Sequence, residues 1–263
     1  MPGKFRFWGR LIFLFTVHYF GVCGAVKAQS GNQNKYGLYI IDDVRSFQET
    51  VEGHSDKQML NVRKSLPGAT LDLRYATPNN FMHQQLYPPI HTTYLRRLAV
   101  AALQKVMEEL KKQNLSIKIF DAYRPYSVTE KMWEIVKDDR YAADPSKGSG
   151  HNRGAAVDLT LVDIVTKVEL PMGTGFDNFS DTAHNNFTAL PAAVLNNRAI
   201  LKSVMEKYGF INLATEWWHF SLPDASAFDL LDLSFDKLKK ITKRKKKIIF
   251  NLLTPFLVFQ QTT

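Results

Sequence analysis

Cysteine is almost missing from this 263-residue chain: the only one is Cys23, close to the N-terminus. The body can therefore form no disulfide, and any metal it holds must be taken by His, Asp or Glu. Internal repeats and low-complexity linkers are absent up to residue 236. An excess of positive charge is missing from the body, despite a formal net charge of +9. Residues 1–28 carry four cations (Lys4, Arg6, Arg10, Lys27) and no acid, and 237–247 carry eight cations and no acid. Taking those twelve away leaves −3 for residues 29–236. A nucleic-acid-binding function thereby loses its electrostatic footprint, and no nucleic-acid partner is expected.

What is present begins with a basic start and an apolar run from Leu11 to Val26, lightly interrupted by His18 and Tyr19. With Val26-Lys27-Ala28 behind it, the segment reads as a signal peptide cleaved after Ala28, which implies export to the periplasm. The alternative is an uncleaved membrane anchor, against which the short, interrupted run argues. Phe20-Gly21-Val22-Cys23 is a poor lipoprotein site. Residues 29–236 are expected to form one domain, since 45% hydrophobic content supports a sizeable core. From 237 to 263 a basic and then apolar tail follows. It reads either as a loosely attached extension or as a peripheral contact with an anionic membrane surface. Its apolar stretch is too short to span a bilayer.

Within the body, Leu71, Leu73 and Tyr75 alternate with Asp72 and Arg74, which predicts a half-buried strand. Helical spacing of Leu95, Leu98, Ala102, Leu103, Val106 and Leu110 predicts a helix from Tyr94 to Lys112. A strand is expected over Leu115–Phe120. Ser127-Val128-Thr129-Glu130 has the form of a capping box opening a helix to about Val136. A further helix over Asn197–Tyr208 should stop at a left-handed Gly209. Strands and helices mix without a regular βαβ rhythm, so the expected class is α+β.

The chemistry-bearing residues lie in three places. In Ser149 through Leu161, a strand would bury Val157, Leu159 and Leu161 on one face and aim Asp158 from the other. Gly154 and Ala155 let the chain turn before it, so that His151 folds back to the same face. Imidazole and carboxylate then converge at a spacing suited to zinc, about 2.0–2.2 Å from each donor. Glu216-Trp217-Trp218-His219 supplies the second place. His219 completes a His/Asp/His set that leaves a fourth position open for water, and Glu216 is the candidate acid/base. Residues three apart on a regular strand face opposite ways, so either Glu216 sits in a bend before the strand that carries His219 or the segment is a helical turn; the bend is preferred, because Trp217, His219 and Ser221 then share a face. The third place is Arg124, which Pro125 pushes towards an extended conformation. It either clamps a developing oxyanion or forms a structural ion pair with Asp121. His54, His83 and His91 read as ordinary surface or satisfied core residues, and His184 is left open.

Taken in order, Tyr123-Arg124-Pro125, then Ser149 through Asp158, then Glu216 through His219 resemble the motifs of the VanX-like zinc D-alanyl-D-alanine dipeptidases. These are a branch of the D,D-carboxypeptidase group that shares its fold with the hedgehog signalling domain. The resemblance extends from about Leu71 to Phe235. It implies a central antiparallel sheet flanked by helices, and one zinc ion on His151, Asp158 and His219. Glu216 would be the base and Arg124 the electrostatic clamp. The segments Arg74–Phe81 and Gly173–Asp177 look like the dipeptidase branch. On that footing Asp177 is the partner of a substrate ammonium, Tyr75 its neighbour, and the Ser149 hydroxyl a partner of the substrate carboxylate. Gly150 departs from the pattern, which often has a second serine there. The function implied is hydrolysis of D-alanyl-D-alanine in cell-wall peptide turnover. A D,D-carboxypeptidase trimming peptidoglycan stem peptides is the alternative. A zinc-binding module without catalysis is disfavoured, because it would need neither Glu216 nor Arg124.

Overall fold

The computed structural model describes residues 32–243, together with Gly3; apart from that glycine, the segment 1–28 expected to be a signal peptide lies outside the described residues, as does the tail beyond residue 243. Along the chain come β1 (Asn32–Gln33), β2 (Tyr39–Ile41), α1 (Val44–Val51), β3 (Met59–Asn61), α2 (Val62–Ser65) and β4 (Thr70–Leu71). β5 (Tyr94–Arg96), α3 (Arg97–Lys111), β6 (Leu115–Asp121), α4 (Tyr126–Ile135) and β7 (Ala156–Asp163) follow. The remainder is α5 (Ala192–Lys207), β8 (Ile211–Asn212), β9 (His219–Ser221) and β10 (Leu230–Leu231). Residues 235–243 are helical. No helix among the described residues is long and apolar enough to cross a membrane.

The class is α+β, organised on a five-stranded sheet of order β4-β6-β7-β9-β8. All its pairings are antiparallel except that of the edge strand β4, which runs parallel to β6. Val157, Leu159 and Leu161 face α3 and α5, and with Ile117, Ile119, Leu103, Val106, Leu110 and Leu201 they build the main core. The opposite sheet face carries Asp158 and is covered by loops. A second core beyond it gathers Tyr75, Tyr87, Tyr94, Tyr123, Leu231 and Phe235.

Two elements differ from the sequence reading. The alternation at Leu71–Tyr75 ends as a strand at Leu71, with Asp72 N–H donating to the Ile119 carbonyl at 2.9 Å as a last rung. A single 3₁₀ turn, Arg74–Ala76, then swings Tyr75 inward, so its period-2 burial belongs to a turn and not to a strand. Tyr94–Arg96 is a strand, because Met59–Asn61 pairs with it before the helix starts at Arg97. The buried stripe of α3 is accordingly Ala99, Leu103, Val106 and Leu110, while Leu98 is 48% exposed.

The capping-box prediction for α4 has the right place but the wrong partner. Pro125 occupies the N-cap without a side-chain bond, and the Ser127 N–H and hydroxyl both donate to Asp232 Oδ1, at 3.0 and 2.8 Å. A carboxylate from more than a hundred residues away does the work expected of Glu130. α5 begins five residues earlier than expected, behind Pro191, and Gly209 ends it in the left-handed region at φ +89°.

Candidate active site

Register across the sheet assembles the site. Asp158 on β7 lies directly opposite His219 on β9, so both side chains leave the same face. On the other side of β7, the pairing with β6 shifts by one residue between Ile119 and Asp121. Strict alternation would send Asp121 into the core alongside Ile117 and Ile119. The bulge instead sets it opposite Asp158, on the face away from the helices. Asp121, Asp158 and His219 thus stand abreast on three neighbouring strands.

His151 comes from the turn before β7. Gly154, at φ +65°, reverses that turn where only a glycine sits without strain. Asn152, fully buried, ties the turn down: its Nδ2 donates to the Arg124 carbonyl at 3.0 Å and to Thr129 Oγ1 at 2.8 Å, and its Oδ1 accepts from Ser149 N–H at 3.0 Å. His151 Nδ1 lies 2.7 Å from the Ala122 carbonyl, which fixes that nitrogen as the donor and leaves Nε2 as a lone-pair donor towards the sheet.

The three side chains meet closely. His151 Nε2 is 3.2 Å from His219 Nδ1 and 3.3 Å from Asp158 Oδ2, and His219 Nδ1 is 3.0 Å from Asp158 Oδ1. Donors about 2.0–2.1 Å from a tetrahedral zinc lie roughly 3.3 Å apart, so this set fits such an ion without rearrangement. Two imidazole nitrogens facing each other across a carboxylate also make a poor hydrogen-bonded network but a good metal site. His151, Asp158 and His219 form the one three-residue group of this kind among the described residues. Burial acts to raise Asp158, but the two histidines outweigh it and hold its carboxyl below the usual range.

Glu216 sits in the turn between β8 and β9, as expected from the three-residue spacing to His219. Its N–H donates to the Leu213 carbonyl, and Asn212 Nδ2 donates to its carbonyl at 3.1 Å. Because residues 213–218 turn, Glu216 and His219 reach the same space, with Glu216 Oε2 3.9 Å from His219 Nδ1. Burial pushes the Glu216 carboxyl up to about 7, against the pull of His219.

Arg124 forms the ion pair with Asp121 that was one of its two expected roles. Its Nε and Nη2 donate to Asp121 Oδ2 at 3.0 and 2.9 Å, and its guanidinium lies 5.0 Å above the Tyr75 ring. The ion pair orients the arginine and leaves Nη1 without a hydrogen bond among the described residues, and Arg124 lines the cavity. Tyr87 donates to the other Asp121 oxygen at 2.9 Å, completing the support.

All eight sequence-derived candidates line one cavity of about 180 Å³. That is smaller than the roughly 300–1,000 Å³ typical of drug-sized ligands and suits a compact substrate. In the same cavity, the Tyr75 hydroxyl donates to both oxygens of Asp177, at 3.0 and 3.2 Å. Asp177 is held in the left-handed region at φ +58°, a strain commonly kept at functional positions. Burial and the charge of Asp158 push its carboxyl well above the ordinary range, and burial and the Asp177 charge likewise keep the Tyr75 phenol protonated. Ser149 Oγ accepts one bond, from Asn152 N–H at 3.2 Å, which leaves its own proton to donate. Gly150 has a structural reason: a Cβ there would lie 2.8 Å from the Ala156 Cβ, so a second serine does not fit. His54, His83 and His91 are exposed and apart from the site, and the His184 ring stands 3.9 Å from Asp181, also outside it. Asn152 escaped the sequence reading, and Asp121 entered it only as a partner for Arg124. A polar residue directly after a ligand histidine, and an acid three before the arginine, were the available signals.

Residues 55–240 match the family model described as D-ala-D-ala dipeptidase. Among curated proteins, the D-alanyl-D-alanine dipeptidase of Escherichia coli K12 is 33% identical over 174 residues, covering 66% of this chain and 89% of that protein. The enzyme of the same name from Streptomyces coelicolor is 30% identical, covering 62% and 90%. That from Enterococcus faecium is 28% identical, covering 60% and 87%. With most of its length matched in this way, the chain belongs to the D-ala-D-ala dipeptidase family of metallopeptidases.

Proposed function

We propose that the protein hydrolyses free D-alanyl-D-alanine to two D-alanines, with one zinc ion on His151, Asp158 and His219. The observation that carries the substrate is Asp177. A carboxylate braced by Tyr75 in the same small cavity as the candidate metal ligands suits the ammonium of a substrate bound there. A zinc ion bound there supplies Lewis-acid activation of water and of the scissile carbonyl. Glu216 takes a proton from the attacking water and later delivers it to the leaving amine nitrogen; burial lifts its affinity for protons into the range such a shuttle needs. Arg124, locked by Asp121, directs Nη1 at the oxygen that gains charge in the tetrahedral intermediate. Ser149 donates its hydroxyl to the substrate carboxylate.

The segment 1–28 supports export to the periplasm, where wall-derived dipeptide is a substrate for recycling or wall turnover. The cationic tail supports a peripheral contact with an anionic membrane surface. The decisive assay compares free D-Ala-D-Ala, its N-acetylated form and a longer N-blocked peptide ending in D-Ala-D-Ala, each with and without chelator. The free dipeptide should be hydrolysed fastest, and chelation should abolish turnover until zinc is restored. Preference for the longer blocked peptide would identify a D,D-carboxypeptidase instead, and turnover unaffected by chelator would overturn the metal assignment.

A further inference from the structure

Away from the active site, a groove of about 360 Å³ runs between the α2 region and the helix 235–243. Arg63 and Lys64 line one side, Lys239 and Lys243 the other, and all four are exposed; Asp236 is the one acid at its wall. Lys239 and Lys243, four residues apart, share a helix face, while Phe235, Leu238 and Ile241 on the other face are buried in the second core. The cations are therefore displayed by a helix that is firmly seated. None of the four forms an ion pair among the described residues. Residues 1–31 and 244–263 contain no Asp or Glu side chain.

We propose that this groove seats the phosphate of an anionic phospholipid, so that the folded body and the tail engage one membrane face together. The inference rests on the peripheral contact proposed above and gives it a place on the fold. Directly after Lys243 come Arg244, Lys245, Lys246 and Lys247, and then 248–263 without a charged side chain but with nine large apolar ones between Ile248 and Phe259. Polybasic and apolar signals in series are what stable peripheral attachment requires, since either alone is weak. A nucleic acid suits the groove less well. Its aromatic walls, Tyr94 and Phe235, are buried and present no ring for base stacking.

The test uses the full-length chain with vesicles of phosphatidylcholine, with and without phosphatidylglycerol, and inorganic polyphosphate as a soluble polyanion. Binding should need phosphatidylglycerol and weaken with salt. The triple variant Lys64→Ala, Lys239→Ala, Lys243→Ala should lose on the order of a hundredfold in vesicle partitioning, about fivefold per cation, while its dipeptide hydrolysis is unchanged. If the triple variant fails to fold, Lys239→Ala alone should still show its fivefold share. Undiminished binding by folded variants would leave the tail as sole contact and overturn the groove assignment. Failure of the wild type to bind either vesicle would remove the peripheral contact as well, leaving the dipeptidase reading intact. Polyphosphate bound as tightly as the vesicles would reassign the groove to a soluble polyanion.

Discussion

Asp177→Asn isolates the recognition of the substrate ammonium. Asparagine keeps the shape of the side chain and an oxygen to accept the Tyr75 hydroxyl, now 3.0 Å away, so the strained loop retains its anchor. What is lost is the charge. Removing one member of a desolvated ion pair costs about 2–5 kcal/mol, or roughly 30- to several-thousand-fold in kcat/KM at about 1.4 kcal/mol per decade. The structure points to the lower half of that range. The free carboxyl is held up by burial and by Asp158, so part of the gain from meeting an ammonium goes into ionising it. We expect a loss of about 30- to 300-fold on free D-Ala-D-Ala, measured as release of D-alanine. The N-acetylated dipeptide has no ammonium and serves as the second arm of a double-mutant cycle. Wild type and variant should hydrolyse it at slow rates within about threefold of one another. Equal losses on both substrates would show that Asp177 shapes the loop rather than reading the amine, and no loss on either would remove it from the site.

Glu216→Gln should lower kcat by about 10²–10⁴ while zinc content by metal analysis stays near one per chain; loss of the metal together with activity would make Glu216 a ligand and not a base. Gly150→Ala forces its new Cβ to within 2.8 Å of Ala156 and should cost about 1–3 kcal/mol in denaturant unfolding, relieved by Ala156→Gly; a neutral effect would mean the turn yields freely. Asp232→Ala removes both bonds to Ser127 at the start of α4 and should destabilise by about 0.5–2 kcal/mol, lowering the melting temperature by roughly 2–4 °C per kcal/mol. An unchanged melting temperature would show that water replaces the carboxylate at no cost.

The site was more legible in the sequence than the scaffold that supports it. Asp158 could be aimed because Val157, Leu159 and Leu161 alternate on a strand that is as regular as its pattern. The spacing of Glu216 and His219 carried its own constraint, since residues three apart converge at a bend or a helical turn but not on a regular strand, and a turn between strands is what stands there. Asp121 was not placed, because a bulge inverts the parity on which strand patterns are read, and a bulge leaves no mark in the residue types of β6. Tyr94–Arg96 and the cap of α4 were misread for one common reason. Their partners, Met59–Asn61 and Asp232, lie about thirty-five and more than a hundred residues away, where local periodicity has no reach. The pair Tyr75 and Asp177 came from resemblance alone, since both side chains are set by loops.

The charges of the assembled cavity explain why its parts belong together. Asp158, Asp177 and Glu216 line the cavity with Arg124, whose charge is paired with Asp121; Arg140 and Asp139, also in the lining, are exposed and paired with Asp138 and Lys147. With the acids ionised and the histidines neutral, these pairs cancel and Asp158, Asp177 and Glu216 leave an excess of three negative charges. Buried like charges at this density are not sustained, and the raised proton affinities of Asp177 and Glu216 are the response of the protein alone. A divalent metal held by His151, Asp158 and His219 would lower that excess from three to one. A free dipeptide, whose ammonium and carboxylate cancel, would leave it there while setting its ammonium against Asp177. An N-blocked substrate would bring the carboxylate without the ammonium and raise the excess to two, so discrimination against it would lie in the charge count as well as in the contact at Asp177.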